Sequence, residues 1–358
     1  MAEILKYRYN ANFINSLCDK IQERHADFNR AAFTSAVFDE SWEQKELKER
    51  MGHIATCLQE FLPQEYDDAL KILKPVSEHF TGFEPMIFPD FVERFGVDHY
   101  ELSINALEYF TRYSSSEFAV RPFIVKHPEK MMQQMLAWAD SDNHHVRRLA
   151  SEGCRPRLPW AMALPDFKNN PSPILPILEK LKNDESEYVR RSVANNLNDI
   201  AKDNPDLVVD VATAWLGVTT NTDKLVKHAC RTLLKSGNPE IMALFNFAPP
   251  DNIRVMNFEI NESVVMGGAV NFSFDLVGDE KLGKIRIEFA IYFVKSNKTL
   301  SRKVFKVSEA EIDSSNKSVK KRFSFAPIST RKYYPGKHAL SIIVNGVELN
   351  KRCFVLDK

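Results

Sequence analysis

The least generic stretch of the chain is Ser151-Glu152-Gly153-Cys154-Arg155-Pro156-Arg157-Leu158-Pro159-Trp160. Two prolines and a glycine stop the helical pattern before it, because proline lacks an N–H and glycine leaves the backbone loose. The result is a shaped loop carrying two guanidinium groups and an indole. Arginine meets phosphate through paired, charge-assisted hydrogen bonds. An aromatic ring facing a cation gains roughly 0.5–2 kcal/mol. A helix that ends this way inside a repeat array is costly unless the loop has work to do. The alternative is an inter-repeat linker with a packing tryptophan. The sequence contains no GxGxxG, no P-loop pattern and no HExxH. Its five cysteines, Cys18, Cys57, Cys154, Cys230 and Cys353, form no CxxC pair. No cofactor, metal or disulfide framework is therefore expected.

The loop has to be held by helices. Residues 1–248 read as helix after helix, for example Leu47, Met51, Ile54 and Leu58 at helical spacing, and Met131, Met135, Leu136 and Trp138. Glycine is sparse there, and prolines sit mainly between periodic stretches. A weak repeat runs through the region. His144-His145-Val146-Arg147-Arg148-Leu149-Ala150 resembles Glu187-Tyr188-Val189-Arg190-Arg191-Ser192-Val193-Ala194, with 43 residues from Val146 to Val189. A looser copy is Leu225-Val226-Lys227-His228-Ala229-Cys230-Arg231, 37 residues further on. Phe118-Ala119-Val120-Arg121-Pro122-Phe123 is a candidate fourth. Helix pairs at this spacing point to a HEAT-like solenoid with one helix of each pair on a concave face. Stacking would align Arg147, Arg148, Arg190, Arg191, Lys227 and Arg231 as a ladder for phosphates. The bland reading pairs individual arginines with acids of neighbouring repeats.

The pattern changes at Ala248-Pro249-Pro250. Val270, Phe272, Phe274 and Leu276 alternate with polar residues, as do Ile285, Ile287, Phe289, Ile291 and Phe293. Further strands are expected at 303–307, 319–325, 338–344 and 347–355. Asn345-Gly346 suits a tight hairpin. About seven strands predict an all-β, immunoglobulin-like sandwich over 251–358, following an all-α domain over 1–248.

The chain has 358 residues and zero formal net charge, which taken alone argues against a nucleic-acid partner. The charge is uneven. Residues 1–120 hold 12 Lys+Arg and 21 Asp+Glu, whereas 251–358 hold 19 and 12, a net of +7. Such asymmetry suits a polyanion-binding region. Lys320, Lys321 and Arg322 lie in a late basic cluster with Lys317, Arg331 and Lys332. No apolar run reaches the roughly 20 residues needed to span a bilayer. The N-terminus lacks the apolar stretch of a secretory signal. A cytoplasmic monomer is expected.

Three segments resemble the AlkC branch of the AlkC/AlkD family of HEAT-repeat DNA glycosylases. They are Ser114-Ser115-Ser116-Glu117-Phe118-Ala119-Val120-Arg121-Pro122-Phe123, then Val146-Arg147-Arg148-Leu149-Ala150-Ser151-Glu152-Gly153 with the arginine loop, then Val189-Arg190-Arg191 through Asn198-Asp199. The resemblance covers most of 1–248, and some AlkC-type proteins carry an immunoglobulin-like C-terminal domain. It implies base excision repair of alkylation damage: removal of cationic bases, chiefly 3-methyladenine and also 3-methylcytosine, from double-stranded DNA. The matching carboxylates are Glu117, Glu152 and Asp199, which would stabilise an oxocarbenium-like sugar. Trp160 and Phe118 are the aromatic candidates for the lesion. Arg121, Arg147, Arg148, Arg155, Arg157, Arg190, Arg191, Lys227 and Arg231 are the expected DNA contacts, joined by Lys320, Lys321 and Arg322. The family resembles an exception to base flipping. The alternatives are a non-catalytic HEAT-repeat scaffold and a protein that binds alkylated DNA without excising the base.

Overall fold

A computed structural model describes residues 5–328 and 331–358. The first four residues, part of the stretch read for a secretory signal, lie outside it. Two compact units divide the chain. One runs to Val208 and includes Ala214–Ala229; the other comprises Val209–Thr213 and Cys230–Lys358.

Sixteen α-helices occur among the described residues. The first six are α1 (Ala11–Gln22), α2 (Arg30–Val37), α3 (Leu47–Phe61), α4 (Tyr66–Ser77), α5 (Ile87–Phe95) and α6 (Tyr100–Phe110). Then come α7 (Arg121–Lys126), α8 (Pro128–Trp138), α9 (His144–Glu152), α10 (Pro165–Asn169) and α11 (Leu175–Leu181). The last are α12 (Glu187–Ile200), α13 (Pro205–Trp215), α14 (Thr220–Ala229), α15 (Arg231–Ser236) and α16 (Pro239–Leu244). The periodic apolar positions face inward as their spacing requires: Leu47, Met51, Ile54 and Leu58 on α3 are buried, as are Met131, Met135 and Trp138 on α8. Leu136 is exposed instead.

The repeat is real in space. Helix α9 packs on α12, and α12 on α14. Ser151 and Ser192 share a hydroxyl hydrogen bond of 2.7 Å, and Asn196 Nδ2 donates to the Ser151 carbonyl at 2.8 Å. Small polar residues at these positions let the helices approach closely, and the two serine hydroxyls and the Asn196 amide nitrogen find partners across the contact.

The second unit holds eight strands: β1 (Ile253–Ile260), β2 (Ser263–Val265), β3 (Ala269–Gly278), β4 (Gly283–Val294), β5 (Leu300–Ile312), β6 (Asn316–Ser324), β7 (Gly336–Val344) and β8 (Val347–Asp357). They form a three-stranded sheet, β1-β3-β6, and a five-stranded sheet, β2-β8-β7-β4-β5. The alternating residues Phe272, Phe274, Leu276, Ile287, Phe289, Ile291, Leu340 and Ile342 fill the space between them. Asn345 and Gly346 join β7 to β8 with φ of 44° and 81°, the paired left-handed turn expected of Asn-Gly. Gly346 also lies against Gly237, where an added Cβ would sit 2.5 Å from the Gly346 carbonyl.

Candidate active site

Helix α9 ends at Glu152, and Gly153 follows because nothing larger fits. A Cβ there would lie 2.6 Å from Val120 Cγ2. Beyond it the loop turns on itself: Ala161 N–H donates to the Leu158 carbonyl at 3.3 Å and Leu164 N–H to the Pro156 carbonyl at 3.2 Å. At its tip Trp160 adopts a φ of 66°. A bulky L-residue in this region carries strain of about 1–3 kcal/mol. The strained residue is also 56 % exposed, so packing of the indole does not repay the strain.

Beside the loop runs an unbroken alternation of charge. Arg148 Nη1 is 2.7 Å from Glu117 Oε2, and its Nη2 is 3.6 Å from Glu152 Oε1. Arg155 Nη1 donates to Glu152 Oε1 at 2.6 Å, and its Nε to Asp199 Oδ2 at 2.8 Å. Lys202 Nζ closes the row on Asp199 Oδ1 at 3.0 Å. The Ser115 hydroxyl donates to Glu117 at 2.8 Å, and the Arg148 guanidinium stacks 4.5 Å from the centre of the Tyr188 ring. Burial works against the charges on Arg148 and Arg155. Glu117 and Glu152 around the first, and Glu152 and Asp199 around the second, nevertheless hold both above the ordinary arginine range. Charge pairs this buried are costly to break from one side.

The three carboxylates singled out by sequence thus come together, on the segment before α7, at the end of α9 and near the end of α12. The cations divide into groups that the sequence did not separate. Arg121 is 0 % exposed and donates only to backbone carbonyls, so its assignment to DNA is corrected. Arg148 and Arg155 are committed to the carboxylates rather than presented to phosphates. Arg147 is a clamp between repeats: its Nε donates to Asp184 at 2.6 Å and its Nη1 to the Ser141 and Asp142 carbonyls at 3.0 Å. Arg190 repeats that backbone clamp on the Asp184 and Glu185 carbonyls, at 2.6 and 2.9 Å. Arg157 is exposed but paired through two bonds with Asp203. Phe118, 8 % exposed with Lys48 Nζ 5.1 Å above its ring, is a packing residue, and its expected lesion contact is corrected.

Arg191 differs from its counterpart Arg148. It is exposed and lines a groove of about 420 Å³ between α12 and α14, with Arg190, Lys224, His228, Asn221 and Glu187. Lys227 lies half-buried on α14, and Arg231 begins α15. In the second unit Lys320, Lys321 and Arg322 line a groove of about 650 Å³ with Asn261, Asn271 and Ser273. They stand on β6, an edge strand, where lysine also discourages strand addition.

Sequence reasoning missed Lys202, Tyr188 and Lys48. Lys202 was visible as a charge three residues after Asp199. Tyr188 occupies the repeat position of His145, directly before Val-Arg-Arg. Lys48 donates to the Trp160 carbonyl at 3.0 Å across 112 residues, a separation that leaves no local signal.

A helical-repeat unit that buries a row of arginine–carboxylate pairs is thus followed in the chain by a β-sandwich. Residues 100–235 match the DNA alkylation repair enzyme family, and residues 254–358 match the C-terminal Ig-like domain of the uncharacterised protein YhaZ. YhaZ of Bacillus subtilis is 47 % identical over 344 residues, covering 96 % of both chains. The Pseudomonas fluorescens alkylpurine DNA glycosylase AlkC, solved bound to DNA containing an abasic-site analogue, is 31 % identical, with a TM-score of 0.94 over 99 % of both chains. The chain belongs to the AlkC-type alkylpurine DNA glycosylases, with their helical repeats and immunoglobulin-like domain. Among the described residues no helix is long and apolar enough to cross a membrane.

Proposed function

We propose that this protein hydrolyses the N-glycosidic bond of cationic N-alkylated bases, 3-methyladenine first and 3-methylcytosine second, in double-stranded DNA. The observation that carries the reading is the row Glu117–Arg148–Glu152–Arg155–Asp199–Lys202 beside Trp160. Methylation at N3 makes the base a cation and a good leaving group. The C1′–N bond breaks with its electron pair going to the base, which departs neutral. The sugar is left oxocarbenium-like. Carboxylates held rigidly by arginines stabilise that charge without reorganising. Water adds at C1′ and loses a proton, leaving an abasic site. The arginines fix the acids in place, so neither partner needs to move during the reaction. Trp160 offers its ring to the cationic lesion or sugar, and no base rotation is required. The bulk assay is release of methylated base from alkylated duplex DNA by the purified chain. Binding without release would favour a recognition protein, and neither binding nor release would favour a scaffold.

Two contacts with the DNA backbone accompany this reading. Arg191, exposed beside Lys224 and His228, is assigned to phosphate. Arg191→Ala should lower the log–log salt slope of DNA binding by about 1. Arg147→Ala should leave the slope unchanged and lower the melting temperature, because Arg147 serves Asp184. Equal slopes in the wild type and the Arg191 variant would remove the phosphate contact. On the β-sandwich, Lys320, Lys321 and Arg322 are assigned to DNA. Changing all three to Glu in the full chain should weaken binding by well over the roughly 1 kcal/mol of a single exposed charge pair. Unchanged affinity would leave them as guards of the β6 edge.

A further inference from the structure

The loop between Gly153 and Met162 is closed by one side chain. Arg121, at the start of α7, sends Nη1 to the Gly153 carbonyl at 2.8 Å and to the Arg155 carbonyl at 2.9 Å. Its Nε reaches the Met162 carbonyl at 2.6 Å. The beginning and the end of the loop therefore meet on a single planar guanidinium. Between them lie Arg155, which holds two of the carboxylates, and Trp160, which projects outward. A second tie reaches the tip: Lys48 of α3 donates to the carbonyl of Trp160 itself, at 3.0 Å. The Lys48 ammonium is placed over the Phe118 ring and in the field of Asp90 and Glu93 on α5. The carbonyl it holds belongs to the residue in the left-handed conformation.

We propose that Arg121 and Lys48 are positioning residues that set the 153–162 loop before DNA arrives, Arg121 by joining its two ends and Lys48 by fixing the strained Trp160 at its tip. The inference rests on the glycosylase reading for its catalytic consequence but not for its structural content. Arg121 is suited to the task because its fork presents donors in fixed directions to several carbonyls, which a lysine ammonium does not. Burial pushes the Arg121 guanidinium down to about 10, still well above neutral pH. A lysine starts lower and would be pushed toward neutrality by the same burial. Lys48 lies outside the stretch 100–235 that matches the alkylation repair family, so the loop is steadied by a part of the chain beyond that match.

Tryptophan fluorescence offers a readout independent of catalysis. Trp42, Trp138 and Trp215 are 5, 3 and 4 % exposed, against 56 % for Trp160. Acrylamide therefore reports Trp160 above the other three, and Trp160→Phe should abolish most of the quenching. Lys48→Met and Arg121→Lys should raise the acrylamide quenching constant of the full-length protein. They should slow single-turnover release of 3-methyladenine on the order of tenfold or more, the scale of a modest misplacement near the chemistry. Affinity for an abasic-site duplex should change less than twofold for Lys48→Met, about the limit of a near-neutral surface change. Lys48→Arg should restore both quenching and rate. Arg121 is buried, so its variant is expected to lose stability; Lys48 is exposed, and Lys48→Met should keep the wild-type melting temperature. Unchanged quenching in Lys48→Met overturns the tie to Trp160. Raised quenching with a wild-type rate overturns the positioning role. A wild-type protein that releases no base refutes the glycosylase reading instead, while the quenching of the Lys48 variants still decides whether the tie exists.

Discussion

Glu152→Gln and Asp199→Asn are each expected to slow release of 3-methyladenine on the order of 10²-fold or more, the scale of losing a well-placed electrostatic stabiliser. Both acids are almost wholly buried, at 5 and 2 % exposure, and both receive Arg155. Neutralising either one removes negative charge from the row while the arginine stays. The local field at C1′ then turns from favourable to unfavourable for a developing cation. DNA affinity should not fall, since a site with one more positive charge faces a polyanion. The same substitutions have a second consequence. Removing one member of a buried ion pair costs about 3–5 kcal/mol when the other is stranded. The amides retain an oxygen that can accept from Arg155, so the loss of stability should be smaller for Gln and Asn than for Ala. Single-turnover rates, binding to an abasic-site duplex and melting temperatures of the four variants separate these effects. Near-normal rates in both amide variants would take the two acids out of the mechanism. Slow release that tracks only the loss of folded protein would make them structural. Glu117→Gln should have the smaller effect, because Glu117 is paired with Arg148 and Ser115 at the outer end of the row.

How much of this site was legible depended on the sequence distance between partners. The Asn345-Gly346 turn and the alternating strands are local patterns, and both fold as read. The three carboxylates were legible only through the family resemblance. The arginines were the weak point. Val-Arg-Arg marks a repeat, but it does not say where each guanidinium ends. Arg147 meets Asp184 across 37 residues and Arg155 meets Asp199 across 44, about one repeat in each case. The partner of an arginine in a solenoid thus lies on the neighbouring helix pair, where no window of local periodicity reaches. A ladder of like residues at repeat spacing looks, from the sequence, like a surface for phosphates. Burial turned Arg148 inward to the acids, Arg147 and Arg190 to backbone carbonyls, and left Arg191 exposed. The left-handed Trp160 was equally invisible, because the contacts that hold its loop come from Arg121 and Lys48, far away in the sequence.

The second large effect concerns the choice of lesion. 3-Methyladenine should be released about 10²- to 10⁴-fold faster than a neutral lesion such as hypoxanthine in the same duplex context, the range by which a missing general acid slows a reaction. A neutral base must gain a proton as it leaves, whereas a cationic one carries its activation with it. Around the loop, Glu117, Glu152 and Asp199 all accept from cationic donors, so none aims a proton at a departing base. The tyrosine nearest the row, Tyr188, has its hydroxyl pushed up by burial despite the opposing pull of Arg148, which makes it a still poorer acid. On the proposed reading, the site stabilises a positive sugar and does not protonate the leaving group. Trp160→Ala tests the aromatic part of the same physics. Loss of a cation–π contact worth roughly 0.5–2 kcal/mol should reduce release of the cationic lesion by about 2- to 30-fold. It should affect the neutral lesion less, which narrows the preference. Comparable release of both lesions by the wild-type protein would require a proton donor that this row of paired charges does not supply. A Trp160 variant that slowed both lesions equally would make the ring a shape contact rather than a detector of charge.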